Sequence, residues 1–301
     1  MKETPLIWNL QDVVDKLSDP TSYQGLFHQH TEDVSIPSGV GLNRIVELTR
    51  SILFPGYFGH STLCSQTLPY HIGMAVEELY ELLAQEIQSG LCFVEHEQGK
   101  SAGSCRKRAK ELATQMIDRL PMLRKILATD VQATYEGDPA AISVGEVICC
   151  YPVIRALSNY RLAHELYKLG IPLIPRMLTE MAHSETGIDI HPGAQIGEYF
   201  SIDHGTGVVI GATCIIGNHV KLYQGVTLGA KRFLKDETGL PIKGIARHPI
   251  IEDDVVIYSN ATILGRITIG KGAVIGGNIW VTTDVPAGEK IVQGQILEGG
   301  R

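Results

Sequence analysis

The sequence predicts an α+β chain, in which an N-terminal α-helical domain is followed by a left-handed parallel β-helix of hexapeptide repeats. Three observations predict it. Through the first half, apolar residues recur every three or four positions, as in Ile72, Val76, Leu79, Leu83 and Ile87. In the second half the period becomes six, with Ile251, Ile257, Ile263, Ile269, Ile275 and Val281 spaced without a slip. The helical pattern runs to about Leu178, with a glycine–proline breaker at Gly170-Ile171-Pro172 that ends one of its helices, and the new period begins after Gly187.

The helical half reads as about six helices. Glu77, Glu78, Glu81 and Glu86 lie among the apolar positions of the first clear helix. Ala109, Leu112, Met116, Ile117 and Leu120 repeat the pattern until Pro121 interrupts it. A further helix is expected from near Ser143 past Tyr151, Tyr160 and Leu166 to the breaker at Gly170. Residues 18–41, rich in Ser, Pro, Gly and His, read as loop. The division is a helical domain over 1–180, a β-helix over 181–288 and a tail over 289–301.

Neither a helix nor an ordinary strand has a period of six, so the second half is an internal repeat. One aliphatic residue per short strand points into a narrow prism, and small residues such as Gly197, Gly211, Gly217 and Gly270 follow it where a corner leaves no room. An earlier column, Ile190, Ile196, Ile202 and Val208, keeps the same spacing, skips two residues and resumes at Ile210, Ile216, Leu222 and Leu228. Asp284-Val285-Pro286-Ala287-Gly288 is expected to end the stack. The repeat breaks off over 230–249, a polar excursion in which Lys231, Arg232, Lys235, Lys243 and Arg247 face only Asp236 and Glu237. Such an excursion is either a solvated loop or a functional one whose cations meet phosphates.

A formal net charge of -7 with no long run of Lys and Arg gives no reason to expect a nucleic-acid or membrane-surface partner. Met1 to Leu10 is polar and broken by Pro5, unlike a secretion signal, and no apolar stretch is long enough to cross a bilayer. The six cysteines form no CxxC pair, so reduced, mostly buried thiols and a cytoplasmic location are expected.

His204, in Ile202-Asp203-His204-Gly205-Thr206-Gly207, is the residue best suited to chemistry. It follows the core position of its hexad near a corner, and the glycines beyond it admit a substrate. Asp189 precedes it by fifteen residues, close to one coil of three hexads, which makes the two candidate neighbours on adjacent coils. A carboxylate behind an imidazole fixes its tautomer and supports it as a general base for a hydroxyl. Arg247, in Arg247-His248-Pro249, has the donor geometry to clamp a carboxylate, and Asp138, in Asp138-Pro139-Ala140, could meet an ammonium. Each of these has a plainer reading as a structural histidine, a solvated dipeptide or a turn.

Four β-helix segments resemble the bacterial serine acetyltransferases: Thr186 to Ala194, Ile202 to Gly207, Tyr223 to Gly229 and Arg247-His248-Pro249. Asp138-Pro139-Ala140 joins them, and Leu53 to Gly59 is similar to the longer-N-terminus branch of that family. The resemblance implies direct acetyl transfer from acetyl-CoA to the L-serine hydroxyl in cysteine biosynthesis, with no metal and no permanently bound cofactor. It implies His204 as general base, Asp189 as its orienting partner, Asp138 and Asp203 at the serine ammonium, and Arg247 and His248 at its carboxylate. Gly229, Ala230, Ser259 and Gly277 are the implied backbone contacts to acetyl-CoA, although some relatives carry other small residues in place of the last two. The family also implies inhibition by cysteine and a homotrimer or dimer of trimers, with the N-terminal helices joining the trimers and contributing to the acceptor site. Members that dock into O-acetylserine sulfhydrylase do so with a tail ending in isoleucine; this chain ends Gly299-Gly300-Arg301, so that partnership is not expected.

Three alternatives stand beside this reading. One is a hexapeptide-repeat O-acetyltransferase acting on another small hydroxyl acceptor. Another is a zinc lyase on the same prism, for which His191, His204 and His219 are the available coil ligands. The third is a scaffolding β-helix without catalysis.

Overall fold

The computed structural model describes residues 10–28, 36–59, 63–97, 105–232 and 235–293, so the last eight residues of the expected tail lie outside the described residues. Among the described residues there are eight helices rather than six. They are α1 (Leu10–Leu17), α2 (Gly39–Leu53), α3 (Leu68–Glu97), α4 (Cys105–Ile117), α5 (Leu120–Gly137), α6 (Val144–Cys150), α7 (Pro152–Lys168) and α8 (Ile174–Thr186).

Local chemistry sets these boundaries. Ser143 caps α6 by accepting from the Glu146 amide at 3.1 Å, and the Glu146 carboxylate reaches back to the Ile142 amide at 2.6 Å. The single helix expected from Ser143 to Gly170 is in fact two. A residue before proline is pushed out of the helical region, and Tyr151 sits at φ -82, ψ 124 ahead of Pro152, which opens α7. The helical region runs on to Thr186, where Gly187 closes α8 at φ 72; a boundary at 180 falls inside that helix.

Among the described residues fourteen short strands follow, arranged as three parallel faces. The first face holds β1 (Asp189–Ile190), β4 (Val209–Ile210), β7 (Thr227–Gly229), β10 (Thr262–Leu264) and β13 (Trp280–Val281). The second holds β2 (Gln195–Ile196), β5 (Ile215–Ile216), β8 (Ile250–Ile251) and β11 (Thr268–Ile269). The third holds β3 (Ser201–Asp203), β6 (Lys221–Tyr223), β9 (Val256–Ile257), β12 (Val274–Ile275) and β14 (Lys290–Ile291).

The six-residue column is the core of this prism. Ile210, Leu228 and Ile263 stack in register on the first face, as do Leu222, Ile257 and Ile275 on the third, and each is buried. Fully burying such a side chain contributes about 1.5–3 kcal/mol. Val208 is buried too, but it belongs to a corner; the strand residue stacked on Ile190 is Ile210, twenty positions on. Ile210 stacks on Leu228 after only eighteen, so the two extra residues enlarge the corner between Ile202 and Ile210. The stack also continues past Gly288, because β14 pairs with β12 and sets Ile291 on Ile275.

The helical domain is fastened to the open first coil, whose carbonyls have no coil above them. Arg161 of α7 donates to the Ile196 and Gly197 carbonyls, both at 2.6 Å, and holds the Asp130 carboxylate of α5 through two bonds of 3.0 and 3.1 Å. Asp130 also accepts from the Phe200 amide at 3.1 Å, and Tyr160 donates to the Ala194 carbonyl at 2.7 Å. Asp130 is fully buried and Arg161 nearly so. Removing one partner strands the other charge in a dry interior. Asp130→Ala is therefore expected to cost about 3–5 kcal/mol, read as a fall in the urea midpoint; an unchanged midpoint would show that the pair does not join the domains.

Candidate active site

The enlarged corner after β3 presents His204. Its backbone lies at φ 59, a left-handed conformation that costs a non-glycine residue about 1–3 kcal/mol and gathers at functional sites. Gly205 follows at φ 95, where an added Cβ would lie 2.5 Å from Ile188 Cδ1, so only glycine fits the bend. The imidazole is 75% exposed, and the carboxylate within 4.0 Å of it is that of Asp203, with Oδ1 at 3.9 Å from Nε2.

Asp138 reaches the same region from the helical domain, as the residue that ends α5. One of its oxygens accepts from the Ala140 amide at 2.8 Å and the other from the Tyr151 hydroxyl at 2.5 Å. The Tyr151 bond, then the amide, hold the Asp138 carboxyl below the usual carboxylate range, so it is ionised at neutral pH. The reciprocal effect pushes the Tyr151 phenol up to about 12. The charges of Lys221 and His204 act on Asp138 as well, which sets the three side chains in one neighbourhood.

Asp189 does not stack on His204 as the fifteen-residue spacing suggested. The longer first coil sets Val209 on Asp189, and the Asp189 carboxylate turns toward Arg176, with Oδ1 3.7 Å from Nη1. The strand it opens is still stitched to the His204 corner, since the Gly207 amide donates to the Gly187 carbonyl at 2.8 Å. Glu180, His183 and Asp189 offer ligand atoms within 4.8 Å of one another, but Arg176 pairs with both carboxylates and already supplies the cation.

Arg247 and His248 occupy the other margin of the first face, at its corner with the second. The amides of both donate to Thr213 Oγ1, at 2.9 and 3.1 Å, and His248 Nδ1 accepts from the Thr213 amide at 3.1 Å and its hydroxyl at 2.8 Å. Nε2–H is then the ring's remaining donor. The ring packs on Gly211, where a Cβ would fall 2.0 Å from His248 Cδ2. Within the chain, therefore, Asp138, Asp203 and His204 come together, and Arg247 with His248 forms a second group across the first face.

The expected coenzyme contacts divide in the same way. Ser259 and Gly277 follow His204 down one edge, with Asn278 donating to the Ser259 carbonyl at 2.9 Å and Gly277 so close that a Cβ would lie 3.0 Å from that oxygen. Gly229 and Ala230 lie where the excursion leaves the first face, and Lys231, Arg232, Lys235 and Lys243 beyond them are exposed. His191, His204 and His219 sit on three different corners, so they share no zinc site within a protomer; His219 stacks on Tyr199 at 4.5 Å.

No family model matches the chain. A serine acetyltransferase encoded on a plasmid of Synechococcus elongatus is 49% identical over 296 residues, spanning 96% of this chain and 92% of its own. The chain belongs to the serine acetyltransferase family. A Bacillus subtilis serine acetyltransferase is 44% identical over 165 residues, 55% of this chain and 72% of that one. Among solved structures, Entamoeba histolytica serine acetyltransferase 1 in complex with L-cysteine matches with a TM-score of 0.72 and 35% identity, covering 83% of this chain and 86% of that one. Neisseria gonorrhoeae serine acetyltransferase in complex with serine matches with a TM-score of 0.54 and 28% identity, covering 84% and 95%.

Several residues around the candidate site of this serine acetyltransferase carried no signal in the sequence. Tyr151, Lys221, Arg176 and Thr213 act through contacts with residues outside their own elements, and no local motif marks them. The cysteines also depart from expectation: Cys92, Cys105 and Cys214 are buried, whereas Cys64, Cys149 and Cys150 are exposed.

Burial is the main cause that pushes His191 and His248 down to about 4, and nearby guanidinium groups, Arg247 for both, add to it. The unfolded chain protonates these rings near 6.5, whereas the folded chain keeps them neutral to about 4. Their stabilising contribution is thus complete above about pH 6.5 and is lost as the pH falls toward 4. Melting temperature is expected to drop between pH 7 and about pH 5. His248→Asn, whose Oδ1 can accept the Thr213 bonds, is expected to show a shallower drop; parallel curves would remove His248 from the effect.

Proposed function

We propose that this chain transfers the acetyl group of acetyl-CoA directly to the L-serine hydroxyl, with His204 as general base, in the biosynthesis of cysteine. The observation that carries the reading is the enlarged corner, which holds an exposed imidazole beside Asp203 while Asp138 arrives from another domain. The serine ammonium would rest between Asp138 and Asp203, and its carboxylate on Arg247 and His248. His204 takes the hydroxyl proton as the oxygen attacks the thioester carbon. The tetrahedral intermediate then collapses, the carbon–sulfur bond breaks, and the imidazolium returns the proton to the departing thiolate. Asp189 is assigned the orienting role, which requires it to turn from Arg176 to the imidazole. Gly229, Ala230, Ser259 and Gly277 would line the acetyl-CoA site.

The two groups of side chains flank one face of the prism. A homotrimer, alone or paired as a dimer of trimers, would bring the Arg247 margin of one protomer against the His204 margin of the next and complete the acceptor site. Light scattering of the purified protein tests this, and an active monomer would exclude it.

Thiol release from acetyl-CoA, compared across serine, homoserine, threonine and a sugar panel, tests the acceptor. Serine is expected to dominate; a preference for another hydroxyl would replace serine as the acceptor. His204→Ala is expected to lower kcat by about 100- to 10,000-fold, and a near-wild-type kcat would remove it as the base. Asp189→Asn should lower kcat with the serine KM little changed, whereas Asp203→Asn should mainly raise that KM. The reverse pattern would exchange their roles.

A further inference from the structure

We propose that Lys221 is a positioning residue for the acceptor: it fastens the Asp138 turn of the helical domain to the Asp203 strand of the β-helix, so that both carboxylates face one ammonium group. The inference rests on the assignment of Asp138 and Asp203 to the serine ammonium given above.

The two carboxylates come from separate parts of the chain, one from the end of α5 and the other from β3. Like charges brought together repel, and nothing in either element alone sets their separation. Lys221 projects from β6, one coil below Asp203. Its Nζ donates to the Gly137 carbonyl at 2.6 Å, directly before Asp138, and lies 3.5 Å from Asp203 Oδ2. It also stands 4.6 Å from the centre of the Tyr223 ring, a cation–π contact that leads the stem past an aromatic face. The Tyr223 ring is itself stacked on Tyr258 at 5.0 Å. A lysine side chain is ordinarily a flexible, solvated stem; here it is only 18% exposed and held at three points.

The division of Asp203's oxygens fits a positioning role. Lys221 stands at Oδ2, which leaves Oδ1 on the side of the His204 ring, 3.9 Å from Nε2. The lysine therefore offsets part of the paired negative charge without covering the oxygen that faces the imidazole. The coil does not call for a lysine here. In register with Lys221 on the same face stand Ser201 and Val256, and Val274 follows on the next coil. The fit at the helical end is close, since a Cβ on Gly137 would come within 3.4 Å of Lys221 Nζ.

Steady-state kinetics of Lys221→Met tests the inference. Losing a charge-assisted bond on the acceptor side is expected to raise the serine KM about tenfold or more, with the acetyl-CoA KM and kcat changed by less than about threefold. Lys221→Arg, which keeps the charge, is expected to recover part of the loss. A double-substitution cycle separates positioning from general support of the fold. If Lys221 acts through Asp138, the combined variant with Asp138→Asn has a serine KM close to that of Asp138→Asn alone; if it merely supports the fold, the two effects multiply. An unchanged serine KM in Lys221→Met, or multiplying effects, overturns the proposal. Should the methionine variant fail to fold, Lys221→Gln, which keeps a donor for the Gly137 carbonyl but no charge, carries the same outcomes. Failure of the wild type to acetylate serine would defeat the acceptor assignment itself, whereas normal wild-type turnover with an indifferent Lys221 variant would defeat the positioning role alone.

Discussion

The buried pair between Arg161 and Asp130 is the interaction on which the rest of the structure depends. A stack of parallel coils satisfies its backbone everywhere except at its ends, where one row of polar groups has no neighbour. At the first coil Arg161 takes the Ile196 and Gly197 carbonyls, Asp130 takes the Phe200 amide, and each neutralises the other. The cap of the β-helix and the joint between the domains are thus one set of atoms. Because Asp138 caps the end of α5, the helix that carries Asp130, the pair that seals the prism also determines where the Asp138 turn emerges.

From that fixed joint the site follows by geometry. Most corners of the prism are tight, and left-handed residues at Asn260 and Asn278 turn the chain at successive coils along one edge. The corner at His204 is two residues longer and contains three left-handed positions, His204, Gly205 and Gly207. The extra length lifts the imidazole out of the regular wall, and the Gly207–Gly187 bond ties the bulge down again. A rigid repeat can support such a departure because the coils on either side keep their register.

The fold was legible because its signal is periodic and local. Six-residue spacing survives in any window, and Gly170 and Pro121 mark breaks by their own backbone chemistry, whereas the break at Pro152 was passed over in favour of one continuous helix. The skip after Val208 was visible as well, but as an irregularity; its meaning, a corner enlarged around His204, required knowing which aliphatic residue stacks on which. The fifteen-residue distance from Asp189 to His204 was read against a coil of eighteen, whereas Asp189 pairs in register with Val209, twenty positions on. Asp138, Asp203, His204 and Arg247 could be picked from short motifs, whereas Tyr151, Lys221 and Thr213 could not, because their partners lie in other elements.

The excursion over 230–249 is anchored to the coil where it leaves and where it returns. Where it leaves, the Gly265 amide donates to the Gly229 carbonyl at 3.0 Å; where it returns, Arg266 grips the His248 carbonyl at 3.0 Å and the Thr213 carbonyl at 2.6 Å. Its interior is organised mainly around itself, with Asp236 gathering the Thr238 and Leu240 amides. Residues 235–244 of the arm are exposed, whereas Arg247 and His248 at its root are fixed by the Thr213 hydroxyl. Arm and root are thus held by separate contacts, so the arm can lengthen or change its charge without disturbing the Thr213 anchors of Arg247 and His248.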